Sequence, residues 1–385
     1  MSSQTKGRYE GRFAAPRQKT ASRITGGVLA LVILLLSLSR LGAEAFKLLS
    51  YADVFIGGGK MLVYGDDLQV DMGEKLSGDE INIPIYNEVP SSEPAEDYIL
   101  RLDDGRTIVY QGHTYELNRN LTTVLFLGID KAIEDENVIG NNGQSDVILL
   151  MGLDTATGET TLLNIPRDAY AQVDHYSVGG INLGTEYEQI TLAYAYGDGK
   201  KTSCENVARS VSRLLYGLPI SSYLALDMQG IIEANEAVGG VTLKSLVDVH
   251  MPDGTDVREG EMIELHGRNL DRYIRTRDHD LDSNARRMER QKQYLTEFSK
   301  LAVKKAKKNL SFPVDLFSSL APYMATNLEI PDVTFLSSAF INHGAAFKFR
   351  DLHGSFDLLN GSSVCYLDEV DLFEAVLQVF YVQVD

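Results

Sequence analysis

Three short runs in the middle of the chain are apolar almost without interruption: residues 123–127 (TVLFL), 146–151 (DVILLM) and 161–165 (TLLNI). Strands that are covered on both faces read this way, whereas a half-exposed strand alternates apolar with polar. Downstream the period changes. Residues 204–216 and 286–307 repeat their apolar positions every three or four residues, which predicts amphipathic helices. Residues 223–227 and 240–243 read as further strands, and 314–385 holds two helical stretches and a strand-like 363–367. Strands and helices that alternate in this order predict an α/β class, with an α/β/α layered domain around a central mixed sheet over residues 121–385. Ahead of it, the turn signals Asp104-Gly105 and Gln111-Gly112 flank Thr107-Ile108-Val109-Tyr110, which predicts a small β-meander over 98–120.

The amino-terminal pattern is different in kind. Residues 24–38 are apolar and uncharged, and 41–43 extend the run past Arg40, close to the roughly 20 residues a bilayer core requires. Lys6, Arg8, Arg12, Arg17, Lys19 and Arg23 precede it against the single acid Glu10. By the positive-inside rule this keeps tail 1–23 cytoplasmic, makes 24–43 a single transmembrane anchor and places the remainder outside the cell. Ala43-Glu44-Ala45 also has the small-x-small form of a signal-peptide cleavage site; Arg40 and the long basic tail favour an uncleaved anchor. Residues 44–97 read as a short helix up to Gly57-Gly58-Gly59 and then an acidic spacer containing Pro84, Pro90 and Pro94.

The formal net charge is −18, and because the tail is basic the rest is more acidic still, which excludes non-specific nucleic-acid binding. Cys204 and Cys365 fit no metal or redox spacing and read as core residues or an optional disulfide. Against that acidity, residues 273–291 (YIRTRDHDLDSNARRMERQ) hold five arginines. If 273–277 is a strand, its period of two puts Tyr273, Arg275 and Arg277 on one face. A helix from Asn284 puts Arg287 and Gln291 on one stripe, with Arg286 and Arg290 beside it. Paired guanidinium forks suit phosphate oxygens, and a solvated surface paired with Glu289, Asp278, Asp280 and Asp282 is the other reading.

Carboxylates mark two strand ends. Asp130 closes the first apolar run and Asp146 begins the second, joined by a polar loop that could bring them together. Such a pair suits Mg²⁺, although a lone Asp in either place also reads as a turn former or cap. In Ile165-Pro166-Arg167-Asp168 the proline ends the strand ladder and throws Arg167 out at the rim, where it faces a ligand or pairs with Asp168. No G-x-S-x-G elbow and no histidine pair in metal spacing occurs. Gly197-Asp198-Gly199-Lys200-Lys201-Thr202 is only a weak phosphate-loop match, since Tyr194 stands where a glycine is required. The basic 304–308 (KKAKK) reads as a solvated helix end.

Taken in order, Leu127-Gly128-Ile129-Asp130, Ser145-Asp146, Ile165-Pro166-Arg167-Asp168, Ala193-Tyr194-Ala195-Tyr196-Gly197, Val238-Gly239-Gly240-Val241 and Tyr273-x-Arg275-x-Arg277 with Arg287-x-x-Arg290-Gln291 resemble the LytR-CpsA-Psr family over residues 122–300. The resemblance implies a membrane-anchored, Mg²⁺-dependent phosphotransferase. It would move an anionic glycopolymer, such as a teichoic acid or capsular polysaccharide, from a polyprenyl-pyrophosphate carrier to peptidoglycan. It further implies metal binding and catalysis at Asp130 and Asp146, pyrophosphate contacts from Arg167, Arg275, Arg277, Arg287 and Gln291, and a catalytic share for Arg275 and Arg277. The chain departs from the family pattern at Gln144 and Gln189, where many members carry cations, and at Asn284, where an acid is common. A polyprenyl-pyrophosphate phosphatase, a non-catalytic lipid-binding scaffold and an envelope-related transcriptional attenuator are the alternatives. A lipid slot lined by 207–215 and 223–228 is a further expectation, with core packing as the other explanation of those residues.

Overall fold

The structure is a computed structural model that describes residues 85–86, 99–101, 107–133, 142–276, 283–343, 347–359 and 361–385. The predicted anchor 24–43, nearly all of the spacer, and Arg277 lie outside the described residues. Among the described residues no helix is long and apolar enough to cross a membrane.

In chain order the strands are β1 (Ile85–Tyr86), β2 (Ile99–Arg101), β3 (Thr107–Tyr110), β4 (His113–Leu117), β5 (Leu121–Ile129), β6 (Ser145–Asp154), β7 (Thr160–Ile165), β8 (Tyr170–Tyr176), β9 (Asn182–Gln189), β10 (Ser222–Asp227), β11 (Val241–Lys244), β12 (Val249–His250), β13 (Asp256–Val257), β14 (Met262–Leu265), β15 (Met324–Thr326), β16 (Phe347–Asp351), β17 (Gly354–Leu359), β18 (Ser362–Leu367) and β19 (Tyr381–Gln383). The helices are α1 (Leu192–Ala195), α2 (Lys201–Leu214), α3 (Met228–Val238), α4 (Gly267–Arg275), α5 (Ser283–Lys308), α6 (Phe312–Ser319), α7 (Ile330–His343) and α8 (Glu369–Phe380).

The three apolar runs are the heart of a six-stranded sheet ordered β15-β10-β5-β6-β7-β16. Its β10/β5 and β7/β16 pairs are parallel, and β15/β10, β5/β6 and β6/β7 are antiparallel, so the sheet is mixed as expected. Period-two alternation sends Leu125, Leu127, Ile148, Leu150, Leu163 and Ile165 into one core with Val207 and Val211 of α2 and Phe373 and Val376 of α8. It sends Val124, Phe126, Leu149, Met151 and Leu162 into the other, against Leu295 of α5 and Leu336 of α7. Both sheet faces are covered, which is why the runs are continuously apolar. A separate small core joins α3, β11–β14, α4 and α5 through Val241, Leu265, Leu270, Tyr273 and Tyr294.

Strands β2, β3 and β4 pair antiparallel as a meander, and the chain's last strand, β19, pairs with β4. Ile108 and Tyr110 of the meander reach the main core, where the Tyr110 ring meets Phe373 edge-on at 5.1 Å.

Two expectations are corrected. Residues 273–275 are not a strand: they end helix α4. Leu270, Tyr273 and Ile274, spaced three and four apart, are its buried stripe, and the Tyr-Arg-Arg alternation that imitates a strand puts Tyr273 at 0% exposure while Arg275 faces solvent. Of the residues expected to line a lipid slot, Val207, Val211, Leu215 and Ala225 are core, each 0% exposed and packed in the main cluster, while Leu224, Leu226 and Met228 are half-buried. The basic end of α5 is as expected the end of a helix, with Lys305 Nζ donating to the Ala237 carbonyl at 2.7 Å on the end of α3.

Candidate active site

The register of β5 and β6 decides where two carboxylates go. Ile129 pairs with Ser145, after a shift between Gly128 and Ile129, so Asp130 just past β5 and Asp146 at the start of β6 lie at the same edge of the sheet. The returning loop is clamped there. Asp130 N–H donates to the Gln144 carbonyl at 3.2 Å, and Gln144 N–H donates to Asp130 Oδ1 at 2.6 Å. Gly143 sits inside this clamp with φ +81°, and a Cβ on it would stand 2.8 Å from Asp130 Oδ1 and 2.7 Å from Lys131 Cβ. Both backbone angle and space therefore require glycine. Sequence reading passed over Gly143, because nothing in the letters around it announces the close approach.

Pro166 ends β7, and Arg167 beyond it turns toward the carboxylates. Its Nη1 is ion-paired with Asp146 Oδ1, its Nη2 donates to Gln144 Oε1 at 2.9 Å, and its Nε lies 3.4 Å from Asp168 Oδ1. The expected pair with Asp168 is therefore present, and Arg167 also reaches Asp146 and Gln144. Gln189 Nε2 donates to Asp168 Oδ1 at 3.0 Å and to the Ser363 carbonyl at 2.5 Å. The two glutamines that replace expected cations therefore orient Arg167 and Asp168 through neutral amides, adding no charge to the corner.

Helix α5 crosses the same edge. Asn164, one residue before the end of β7, donates to Met288 Sδ at 3.8 Å and to Asp351 Oδ1 at 3.1 Å, and Lys292 is ion-paired with Asp351. Arg287, next to Met288, is buried at 9% exposure. Arg286 and Arg290, expected on one stripe, do not share an environment: Arg286 is exposed, while Arg290 is 0% exposed. Arg290 Nε donates to the Tyr273 carbonyl at 3.2 Å and its Nη2 to the Thr276 carbonyl, so this side chain caps the carboxyl end of α4. Gln291 Nε2 donates to the Ile274 carbonyl at 3.5 Å, and the Tyr273 hydroxyl donates to Gln293 Oε1 at 2.8 Å. Arg275, whose own contact is a 3.4 Å pair with Asp271 one turn back, is thereby carried on an end of α4 that α5 holds in place. Asp130, Asp146 and Arg167 share one corner, Arg287 lies on the helix crossing it, and Arg275 is tied to that helix. The Asn284 side chain, like Arg277, lies outside the described residues.

Asp130 and Asp146 offer hard oxygen donors at the corner, and among the described residues no group of three or more His, Cys, Asp or Glu side chains forms a metal cluster. The Gly197–Thr202 stretch is not a phosphate loop: Asp198 Oδ1 accepts from Lys200 N and Ser203 N at 2.9 and 3.2 Å, so the start of α2 is satisfied by its own chain. Both cysteines are free and buried. Burial and nearby Asp198 push the Cys204 thiol well up, and burial with Asp168 pushes Cys365 up to about 11.

The profile of the LytR_cpsA_psr family matches residues 95–378. A polyisoprenyl-teichoic acid–peptidoglycan teichoic acid transferase, TagU of Enterococcus faecalis, is 24% identical over 255 residues, covering 66% of this chain and 77% of that one. TagU of Bacillus subtilis, which bears the same description, is 24% identical over 250 residues, covering 64% and 73%. Among solved structures, TagV of B. subtilis superposes with a TM-score of 0.53 at 22% identity, covering 68% of this chain and 95% of that one, which shows a shared fold.

Proposed function

The chain belongs to the LytR_cpsA_psr family, and from that membership we propose that it transfers an anionic glycopolymer from a polyprenyl-pyrophosphate carrier to peptidoglycan, forming a phosphodiester bond. The observation that carries this reading is the meeting of Asp130, Asp146 and Arg167 at one sheet edge crossed by the helix that bears Arg287. Fixed cations beside a carboxylate pair suit phosphoryl transfer, in which positioning and charge neutralisation carry most of the rate.

In the reaction an acceptor sugar hydroxyl attacks the phosphorus next to the polymer. The new P–O bond forms as the bond to the bridging oxygen breaks, and polyprenyl monophosphate leaves with the electron pair. Arg275, Arg277 and Arg287 would neutralise the charge that grows on the departing phosphate. Asp146 would take the hydroxyl proton, with the Arg167 side chain ion-paired to it and orienting the carboxylate. Asp130 and Asp146 would hold Mg²⁺ through hard carboxylate oxygens, and the bound ion would supply Lewis-acid charge neutralisation. The tail 1–23 would be cytoplasmic, the anchor 24–43 single-pass and the catalytic domain extracytoplasmic, where both peptidoglycan and lipid carrier are met.

The test is the full chain in lipid vesicles, given lipid-linked donor with and without peptidoglycan fragments. Polymer joined to the fragments in step with release of polyprenyl phosphate supports transfer. Release that ignores the acceptor assigns a phosphatase instead, and binding without release assigns a scaffold.

A further inference from the structure

Hairpin β8–β9 is rooted in the active-site corner and leads away from it. At its root Ile190 N–H donates to the Ala169 carbonyl at 2.8 Å, and Gln189 holds Asp168. Halfway along, buried Asp174 accepts from Arg209 Nε at 2.8 Å and Arg213 Nη1 at 2.7 Å, both on α2. Tyr176 accepts from Arg209 Nη2 at 2.8 Å, and the Tyr196 hydroxyl donates to Glu188 Oε2 at 3.0 Å. The hairpin is therefore a braced strut.

Beyond the brace the tip folds on itself. Ser177 N–H donates to the Ile181 carbonyl at 2.8 Å, Gly180 N–H to the Ser177 carbonyl at 2.8 Å, and Ile181 N–H to Ser177 Oγ at 3.1 Å. Among the described residues no hydrogen bond joins 177–184 to an element outside the hairpin. With a rise of about 3.3 Å per residue the tip stands roughly 25 Å from Ala169. Its apolar side chains point into water: Val178 is 82% exposed, Ile181 68% and Leu183 67%. Residues 176–185 contain no charged side chain in a chain of net charge −18. Single exposed apolar residues are ordinary, but three within six positions on a braced, uncharged tip form a patch.

We propose that this tip enters the interfacial layer of a lipid bilayer. The absence of acidic groups is what an anionic lipid surface requires, and Tyr176 and Tyr187 flank the tip where interfacial tyrosines sit in membrane-bound proteins. The tip offers no charge with which to recognise a protein partner, and the sequence reads residues 24–43 as a bilayer anchor that keeps the domain within reach of the surface. Contact there ties the corner holding Arg167 to the membrane through a rigid arm. The proposal stands on the hairpin and does not depend on the transferase reading.

The test places an environment-sensitive fluorophore on Ile181→Cys in the full chain, the native thiols being buried and poorly reactive, with a matched label on Thr255→Cys in the β12–β13 turn. The proteins are reconstituted in phosphatidylglycerol–phosphatidylethanolamine vesicles that contain doxyl-labelled lipid. The result expected is blue-shifted emission and doxyl quenching at position 181, with neither at 255. Water-like, unquenched emission at 181 overturns the proposal. So does a blue shift that appears in detergent without lipid and grows with protein concentration, which assigns the tip to a second copy of the chain. Because this readout needs no turnover, it separates from any failure of the transfer assay.

Discussion

Replacing Arg290 by alanine tests whether this arginine is a structural cap and Arg275 a ligand-facing one. Arg290 is fully buried and donates to the carbonyls of Tyr273 and Thr276. Its removal leaves one buried and one half-buried acceptor without that donor, at about 1–3 kcal/mol each, and a void, for a total of roughly 3–5 kcal/mol. That is a large part of the 5–15 kcal/mol by which domains are typically stable. With a urea slope of about 3 kcal/mol per molar, the midpoint falls by roughly 1–2 M. The chain contains no tryptophan, so unfolding is followed by circular dichroism of the helices. Arg290→Lys keeps the charge but loses the two-pronged fork, and falls between wild type and alanine. Arg275 is half-exposed, and its pair with Asp271 is worth about 0.3–0.5 kcal/mol, so Arg275→Ala leaves the midpoint near that of wild type while transfer drops roughly a hundredfold. If Arg290→Ala unfolds within about 0.2 M of wild type, a few tenths of a kcal/mol by the same slope, the capping argument is refuted.

Other consequences follow from particular side chains. Gly143→Ala, forced against Asp130 Oδ1 in a positive-φ position, is expected to lose most transfer activity while retaining the helical circular-dichroism signal; normal activity would show that Asp130 need not hold its present place. Burial works to raise the Asp174 pKa, but hydrogen bonds from Arg213, Arg209 and Thr185 overcome it and the group lies below the ordinary aspartate value. A depressed folded pKa contributes stability that is fully present above the unfolded value, about 3.9, and is lost as pH falls through the folded one. Asp174→Asn should therefore be less stable than wild type at pH 7 and lose less of its stability on acidification over that interval, as read from urea midpoints at a series of pH values. Neither Cys204 nor Cys365 should be alkylated by iodoacetamide at pH 8 until denaturant is added, and rapid native labelling would contradict their burial.

The sheet could be read from the sequence because its central strands are covered twice, and double burial leaves a run with no polar interruption, as in residues 123–127. Helix α4 was misread because Tyr273, Arg275 and Arg277 alternate like a strand, while the stripe that decides the matter, Leu270-Tyr273-Ile274, is set by packing under α5. Helix α5 was legible at helical spacing, but only the packed structure shows that Arg290 turns inward to cap a neighbouring helix while Arg286, expected beside it, stays exposed. The corner of Asp130, Asp146 and Arg167 was legible because strand ends and a proline fix where side chains emerge. The parts that make it work, Gly143 in the clamp and the amides of Gln144 and Gln189 on Arg167 and Asp168, depend on contacts made across the fold and leave no local signature.

The central claim is that a pyrophosphate is held at this corner by Arg167, Arg275 and Arg287. It is tested most directly by calorimetric titration of the full chain in vesicles with geranyl pyrophosphate, alongside Arg167→Ala and Arg275→Ala. The account predicts binding to the wild type that weakens on adding salt and falls roughly a hundredfold in each variant, at about 3 kcal/mol per strong electrostatic contact. Equal affinity in all three proteins would contradict it.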